Sequence, residues 1–177
     1  MSTLYYYYKN IVRQDLLTKY NYTNYAEIPR LKKICLSFQV SQSSLRQLLP
    51  LMSALTLASH QKPFFLRSKQ INLVLRLKKG YPIGCKVTIR GSKMYDFLEQ
   101  ILFLIFPQSK GSMLPFFRIG KKEAFLSIEN PFFFKEIEKE YENFRELPKL
   151  HLTMVANVEK KGEIISLLSA LKFPIKK

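Results

Sequence analysis

Between Cys85 and Arg90 the chain reads CKVTIR, apolar and polar in strict alternation. This predicts a strand with Cys85, Val87 and Ile89 on one face and Lys86, Thr88 and Arg90 on the other. The first element upstream is a helix over 4–20, where Ile11, Leu16, Leu17 and Tyr20 recur at helical spacing and Lys9, Arg13 and Lys19 form a basic side. Tyr5 to Tyr8 cannot all face one way, so some pack and others stay available for stacking. RLKKICLSFQV, after Pro29, alternates Ile34, Leu36 and Phe38 with Lys33, Cys35, Ser37 and Gln39, a second strand with a basic and polar side. Residues 41–59 carry a helical pattern, with Ser41, Ser43 and Ser44 as candidate caps and Pro50 as a kink or break.

A short strand follows at Phe64 to Leu66. The basic segment 67–84 then forms a long loop between strand ends. Residues 92–106 predict an amphipathic helix capped by Ser92, with Met94, Phe97, Leu98, Ile101, Leu102 and Ile105 buried and Pro107 beyond its end. Signals weaken after Pro107. A strand at Ala124 to Ile128, another at Lys149 to Ala156 and a final helix over 159–171 complete the pattern. The expected fold is α+β: one domain over 1–177, with a mostly antiparallel curved sheet, helices packed on one face and a basic face opposite. No internal repeat or long linker interrupts it.

Composition sharpens this picture. Lys and Arg number 29 against 13 Asp and Glu, a net +16, in a chain of 177 residues that is 47% apolar. From Ile28 to Tyr95 there are 13 Lys and Arg and no carboxylate. A surface so charged repels itself and is best tolerated against a polyanion. Nucleic acid is the expected partner, with an anionic membrane surface as its rival. The apolar run Ile101 to Phe106 is far too short to cross a bilayer. Nucleic acid is preferred over the membrane surface, and no membrane partner is expected. The opening MSTLYYYYKN has neither a charged start followed by an apolar core nor the look of a transit peptide. The mature chain is therefore expected to begin near Met1, or to be imported without a cleaved leader.

Catalytic chemistry finds no footing. GYPIGCK is superficially similar to a phosphate loop, but it is one residue short between glycines, lacks Ser or Thr after Lys86 and runs into a strand. His60 and His151 lie far apart without a Glu partner motif. The cluster Glu136, Glu138, Glu140, Glu142 and Glu146 alternates with Lys135, Lys139 and Arg145 as a solvated surface does. Cys35 and Cys85 are expected as free thiols on opposite sheet faces. No catalytic residue, metal site or cofactor is expected. What remains is a plane of donors, Lys86, Thr88 and Arg90 on one strand and Lys33, Ser37 and Gln39 on another, suited to phosphates and the 2′-hydroxyls of RNA.

GYPIGCKVTIRG, Gly80 to Gly91, resembles the signature of the ribosomal protein L5 family, the large-subunit proteins that bind 5S rRNA. YYKNIVRQDLLTKYNYTNYAEIPRLKKICLSFQV is similar to that family's first helix, loop and strand. HQKP at His60 to Pro63 matches its Gly-Gln-Lys-Pro element at three positions of four. MYDFLEQI resembles its next helix, and LSALKFPIKK its C-terminal helix and tail.

The resemblance covers nearly all the chain. It implies an α+β domain whose concave sheet face and first helix lie on 5S rRNA in the central protuberance. The contacts carried over are Lys33, Gln61, Lys62, Thr88 and Arg90, joined by Lys86 and Ser37 from the sheet face. It also implies a loop directed at the P-site tRNA, here with Arg67, Lys69, Arg76, Lys78 and Lys79. Large-subunit rRNA and neighbouring ribosomal proteins are the other implied partners.

The chain departs from the family in three places. Ser37 stands where the family has Asn and loses an amide donor. The loop tip is LVL, Leu73 to Leu75, in place of a small residue and a glycine, and it can pack on a neighbouring protein instead of tRNA. The Arg-Gly-rich segment is shortened to QSKGSMLPFF. With the Phe-, Lys- and Ile-heavy composition, these departures suggest a mitochondrial ribosome, with bacterial cytoplasm or plastid as alternatives. Two other readings stay open: a ribosomal scaffold protein that no longer binds 5S rRNA, and an RNA-binding module acting off the ribosome.

Overall fold

The computed structural model describes residues 2–20, 22, 24–40, 45–74, 77–108, 117–145 and 147–175. Helix α1 comprises α-helical Thr3–Tyr7 and Arg13–Lys19 around a π-helical stretch, Tyr8–Val12. Strand β1 (Arg30–Gln39), helix α2 (Leu45–Ser59), strand β2 (Phe64–Arg67) and strand β3 (Pro82–Ile89) follow. Helix α3 starts as Ser92–Gln100 and continues through π-helical Ile101–Ile105 into Phe106–Gln108. Next come β4 (Arg118–Ile119), β5 (Glu123–Ile128), the short α4 (Lys135–Glu138), β6 (Leu150–Asn157) and α5 (Lys161–Ala170). The strands form one antiparallel sheet in the order β2-β3-β1-β6-β5-β4, the α+β class the pattern predicts.

By internal packing the chain divides into two units. The first comprises 1–34, 89–126 and 152–177. Within it α1 packs on α3, and Tyr8, Val12 and Leu16 are buried with Met94, Tyr95, Phe97, Leu98 and Ile101. The start of α1 is tied down by Ser2, whose hydroxyl donates to Glu99 Oε2 at 2.7 Å, and by Thr3, whose hydroxyl donates to Glu99 Oε1. Tyr8 donates its phenol proton to the Pro29 carbonyl at 2.8 Å. Leu152, Met154 and Ala156 of β6 are buried, as their alternation requires, and α5 adds Ile164, Leu167 and Leu168.

The second unit comprises 35–88 and 127–151. Here α2 packs on α4 and on the 3-10 turn Tyr141–Phe144, burying Leu48, Leu51, Leu55, Ile137 and Phe144. Leu36 and Phe38 of β1 and Cys85 and Val87 of β3 complete its core. At Gly84 the strands approach so closely that a Cβ would lie 2.2 Å from the Phe38 carbonyl oxygen.

Several boundaries and faces differ from those expected. In α1, Ile11 and Leu17 are exposed, whereas Tyr8, Val12 and Leu16 face inward. The π-helical stretch changes the number of residues per turn at Tyr8–Val12, so an ideal 3.6-residue period does not describe the buried stripe. Pro50 sits inside α2 without ending it. β3 begins at Pro82, three residues before the alternation becomes readable. Ser92 does not cap α3: Gly91 holds the cap position, with no side-chain cap bond. That helix also runs past Pro107 to Gln108. The candidate caps Ser41, Ser43 and Ser44 and most of the shortened QSKGSMLPFF segment lie outside the described residues.

Candidate nucleic-acid interface

Strand β3 supplies the framework. Cys85, Val87 and Ile89 are buried, while Lys86 and Thr88 between them are half-buried and Arg90, just beyond the strand, is exposed. Period-two geometry sends each set to its own side. Cys35 lies on the Thr88 side, its Sγ 3.8 Å from Thr88 Oγ1, whereas the Cys85 thiol donates to the Leu48 carbonyl in the core. Both thiols are free. Burial pushes the Cys85 thiol up to about 11, so it remains protonated at neutral pH. Ser37 is half-buried on β1, and Lys33 and Gln39 of the same strand are half-buried and exposed.

Gln61 and Lys62 leave the end of α2. Ser59 fixes that exit, its hydroxyl donating to the Leu55 carbonyl at 2.6 Å and accepting from the Gln61 N–H at 3.3 Å. His60 takes a left-handed φ of 51°. Gln61 is half-buried and Lys62 leads from it towards β2. Sequence reasoning misses Phe64. It is 52% exposed and directly opposes Lys86 across the β2–β3 pair, so an aromatic face stands beside the cation on the same side of the sheet. Its signal is present in the register: a strand starting at Phe64 places every second residue with Lys86 rather than with Cys85.

Residues 67–74 and 77–84 pair as the two arms of a hairpin extension. Ser68 N–H donates to the Tyr81 carbonyl at 2.8 Å, and Asn72 and Leu77 exchange backbone bonds at 2.9 and 3.0 Å. Lys69, Lys78 and Lys79 are exposed along it and Arg67 lies at its base, whereas Arg76 lies outside the described residues. At its end Ile71, Leu73 and Val74 are exposed, the latter two by 86% and 91%.

The described residues contain no cluster of His, Cys, Asp and Glu that could hold a metal, and no helix long and apolar enough to cross a membrane. His60 is exposed and His151 half-buried, on separate elements. This combination of an α+β sheet, exposed cations and an aromatic beside them marks a candidate polyanion-binding surface.

Comparison with known proteins narrows the class. Residues 82–175 match the family model for the C-terminus of the ribosomal protein L5 family. Across 99% of both chains the protein is 32% identical to large ribosomal subunit protein uL5 of Nitrosomonas eutropha. It is also 32% identical, over the full length of both, to uL5m of Reclinomonas americana, and 31% identical to uL5 of Buchnera aphidicola over 99% of each chain. The chain belongs to the ribosomal protein L5 family, whose members are structural rather than enzymatic.

Proposed function

We propose that this protein is a structural constituent of the large ribosomal subunit that binds 5S rRNA in the central protuberance. Lys33, Ser37, Gln61, Lys62, Lys86, Thr88 and Arg90 are the RNA-facing residues. The observation that carries the reading is β3 itself, which turns Lys86 and Thr88 away from the buried Cys85, Val87 and Ile89 and sets Lys86 opposite the exposed Phe64. Cations, a hydroxyl and an aromatic face together suit RNA, offering phosphate neutralisation, 2′-hydroxyl bonding and base stacking. Family membership and similarity to uL5 proteins along the whole chain support the same reading. One domain over 1–177 is part of the same proposal.

The reading extends to the 67–84 loop, where Arg67, Lys69, Arg76, Lys78 and Lys79 would face P-site tRNA. One observation favours a second role for that loop. Leu73 and Val74 are nearly fully exposed, and such a tip suits a protein neighbour better than a phosphate backbone. A mitochondrial ribosome is the reading the composition and the departures from the family favour, with a bacterial or plastid ribosome as the alternative; the similarity to bacterial uL5 and to Reclinomonas uL5m is equal.

The test is recovery of the tagged protein from its native cells on a sucrose gradient. The proposal expects it in the large-subunit fraction, with 5S rRNA retained after mild stripping of the subunit. A subunit that holds the protein but no 5S rRNA would leave a scaffold role alone. A large free pool bound to diverse RNAs would move its function off the ribosome.

A further inference from the structure

Strand β2 ends the sheet in the second unit. It pairs with β3 and, among the described residues, with no other strand. In an antiparallel pair alternate residues turn their N–H and C=O groups away from the partner, so Phe64–Arg67 presents a row of such groups outward. At the β4 end of the sheet, by contrast, Phe117 bridges to Ile175 and its N–H donates to the Pro174 carbonyl at 3.4 Å. The side chains of β2 are uncovered as well. Phe64 and Phe65 are both exposed and lie on opposite faces, Phe64 opposite Lys86 and Phe65 opposite the buried Cys85. A solvated edge is ordinarily guarded by charge, whereas two adjacent rings suit a strand that is covered. Arg67 at the end of β2 and Lys69 just beyond it are exposed, and neither forms an ion pair among the described residues. The chain from Ile28 to Tyr95 holds no carboxylate to offer them.

We propose that the free edge of β2 accepts an extended strand from a protein neighbour, apolar opposite Phe64 and Phe65 and carrying carboxylates opposite Arg67 and Lys69. The inference goes beyond the RNA-binding reading, which leaves these backbone groups unused. Alternating donors and acceptors at strand spacing are matched by a second polypeptide backbone. The two rings select apolar side chains, and the two cations select acids. A second copy of this chain fits poorly, because it would bring two net charges of +16 edge to edge. Four residues make a short edge, so the pairing is weak by itself and the flanking side chains decide its selectivity.

The test titrates the full chain with three capped peptides. The first is Glu-Glu-Thr-Val-Val-Thr-Glu-Glu, whose acidic ends serve either strand direction. The second has Lys for every Glu. The third is the first peptide N-methylated on both valines, which blocks pairing in either register. Amide hydrogen exchange reads where each one binds. The proposal expects the acidic peptide to slow exchange along Phe64–Arg67 and to bind about tenfold tighter than its methylated form, the loss typical of one or two backbone bonds. Phe65→Thr should weaken it about fivefold and leave the preference for 5S rRNA unchanged, because Phe65 lies on the face away from Lys86. Arg67→Glu should turn the preference towards the Lys peptide. Both positions are exposed, and matching melting curves check that the variants fold.

Equal binding of the acidic peptide and its methylated form, or protection confined to other elements, leaves charge attraction alone and overturns the proposal. Protection of β2 by 5S rRNA would give the edge to RNA, and a concentration-dependent dimer that protects it would give it to a second copy; each overturns the proposal too. Preference for 5S rRNA is read separately, so the RNA-binding reading and this one can fail independently.

Discussion

Gly84→Ala is the substitution from which the packing of β3 against β1 predicts most. The added Cβ would sit 2.2 Å from the Phe38 carbonyl oxygen and 3.2 Å from the Gln39 Cα, both backbone atoms with no rotamer to escape into. Ordinary contact lies beyond 3.4 Å, so the strands must separate by about an ångström locally. Overpacking of this kind costs about 1–3 kcal/mol. Weakening the adjoining bond from Val40 N–H to the Ile83 carbonyl, now 3.0 Å, adds about 1 kcal/mol. A total near 3 kcal/mol is a large share of the roughly 5–15 kcal/mol that holds a domain together. At this chain length it lowers Tm by about 6–12 °C. Thermal melting followed by circular dichroism, with urea unfolding as a second axis, measures it. A Tm within about 2 °C of the parent would refute the close approach at Gly84.

Three further outcomes follow from other parts of the structure. His60→Gly relieves a left-handed backbone at the end of α2 and should raise Tm by about 2–4 °C, the equivalent of about 1 kcal/mol; an unchanged or lower Tm contradicts the strain. Glu99 is held below the ordinary carboxylate value of 4.5 by the Thr3 and Ser2 hydroxyls, so its support of the α1 start is present above 4.5 and lost as pH falls through its folded value. Carboxyl NMR should show that lowered midpoint, and Thr3→Ala should return it towards 4.5. With its thiol at about 11, Cys85 is thiolate in only about a thousandth of molecules near pH 8 and should react with iodoacetamide only on unfolding. Rapid labelling of Cys85 in the folded protein would contradict its burial.

Strands are legible in the sequence where a single period governs them. CKVTIR alternates without interruption and LHLTM does so as far as Met154, and the structure buries Val87, Ile89, Leu152 and Met154 as the alternation requires. The lower edge of β3 is not legible, because Pro82, Ile83 and Gly84 give no polar-apolar contrast; pairing with β2 and the backbone bond from Val40 to Ile83 fix them in the sheet. The inward stripe of α1 escapes a periodic reading for a related reason. Apolar residues lie all round that helix, and the π-helical stretch selects Tyr8 and Val12 over Ile11 and Leu17. β4 is hidden because two residues, Arg118 and Ile119, carry no period at all.

The candidate site divides along the same line. Lys86, Thr88 and Arg90 follow from local alternation, whereas Phe64 needs the cross-strand register. A cationic cleft in the first unit needs helices from distant parts of the chain to meet. Lys9 and Arg13 read as part of one basic helix side, and only the packing of α1 on α3 brings them and Arg30 round one set of tyrosines.

The central claim is specific recognition of 5S rRNA through the Lys86 and Thr88 side of β3. The direct measurement is a titration of the purified protein against 5S rRNA and a length-matched unrelated hairpin at two salt concentrations. Charge alone should weaken both complexes by about tenfold or more as salt rises. The account predicts a preference for 5S rRNA that survives the higher salt and is eroded by Thr88→Ala and Gln61→Ala. Equal binding to both RNAs, erased by salt and indifferent to those substitutions, would contradict it.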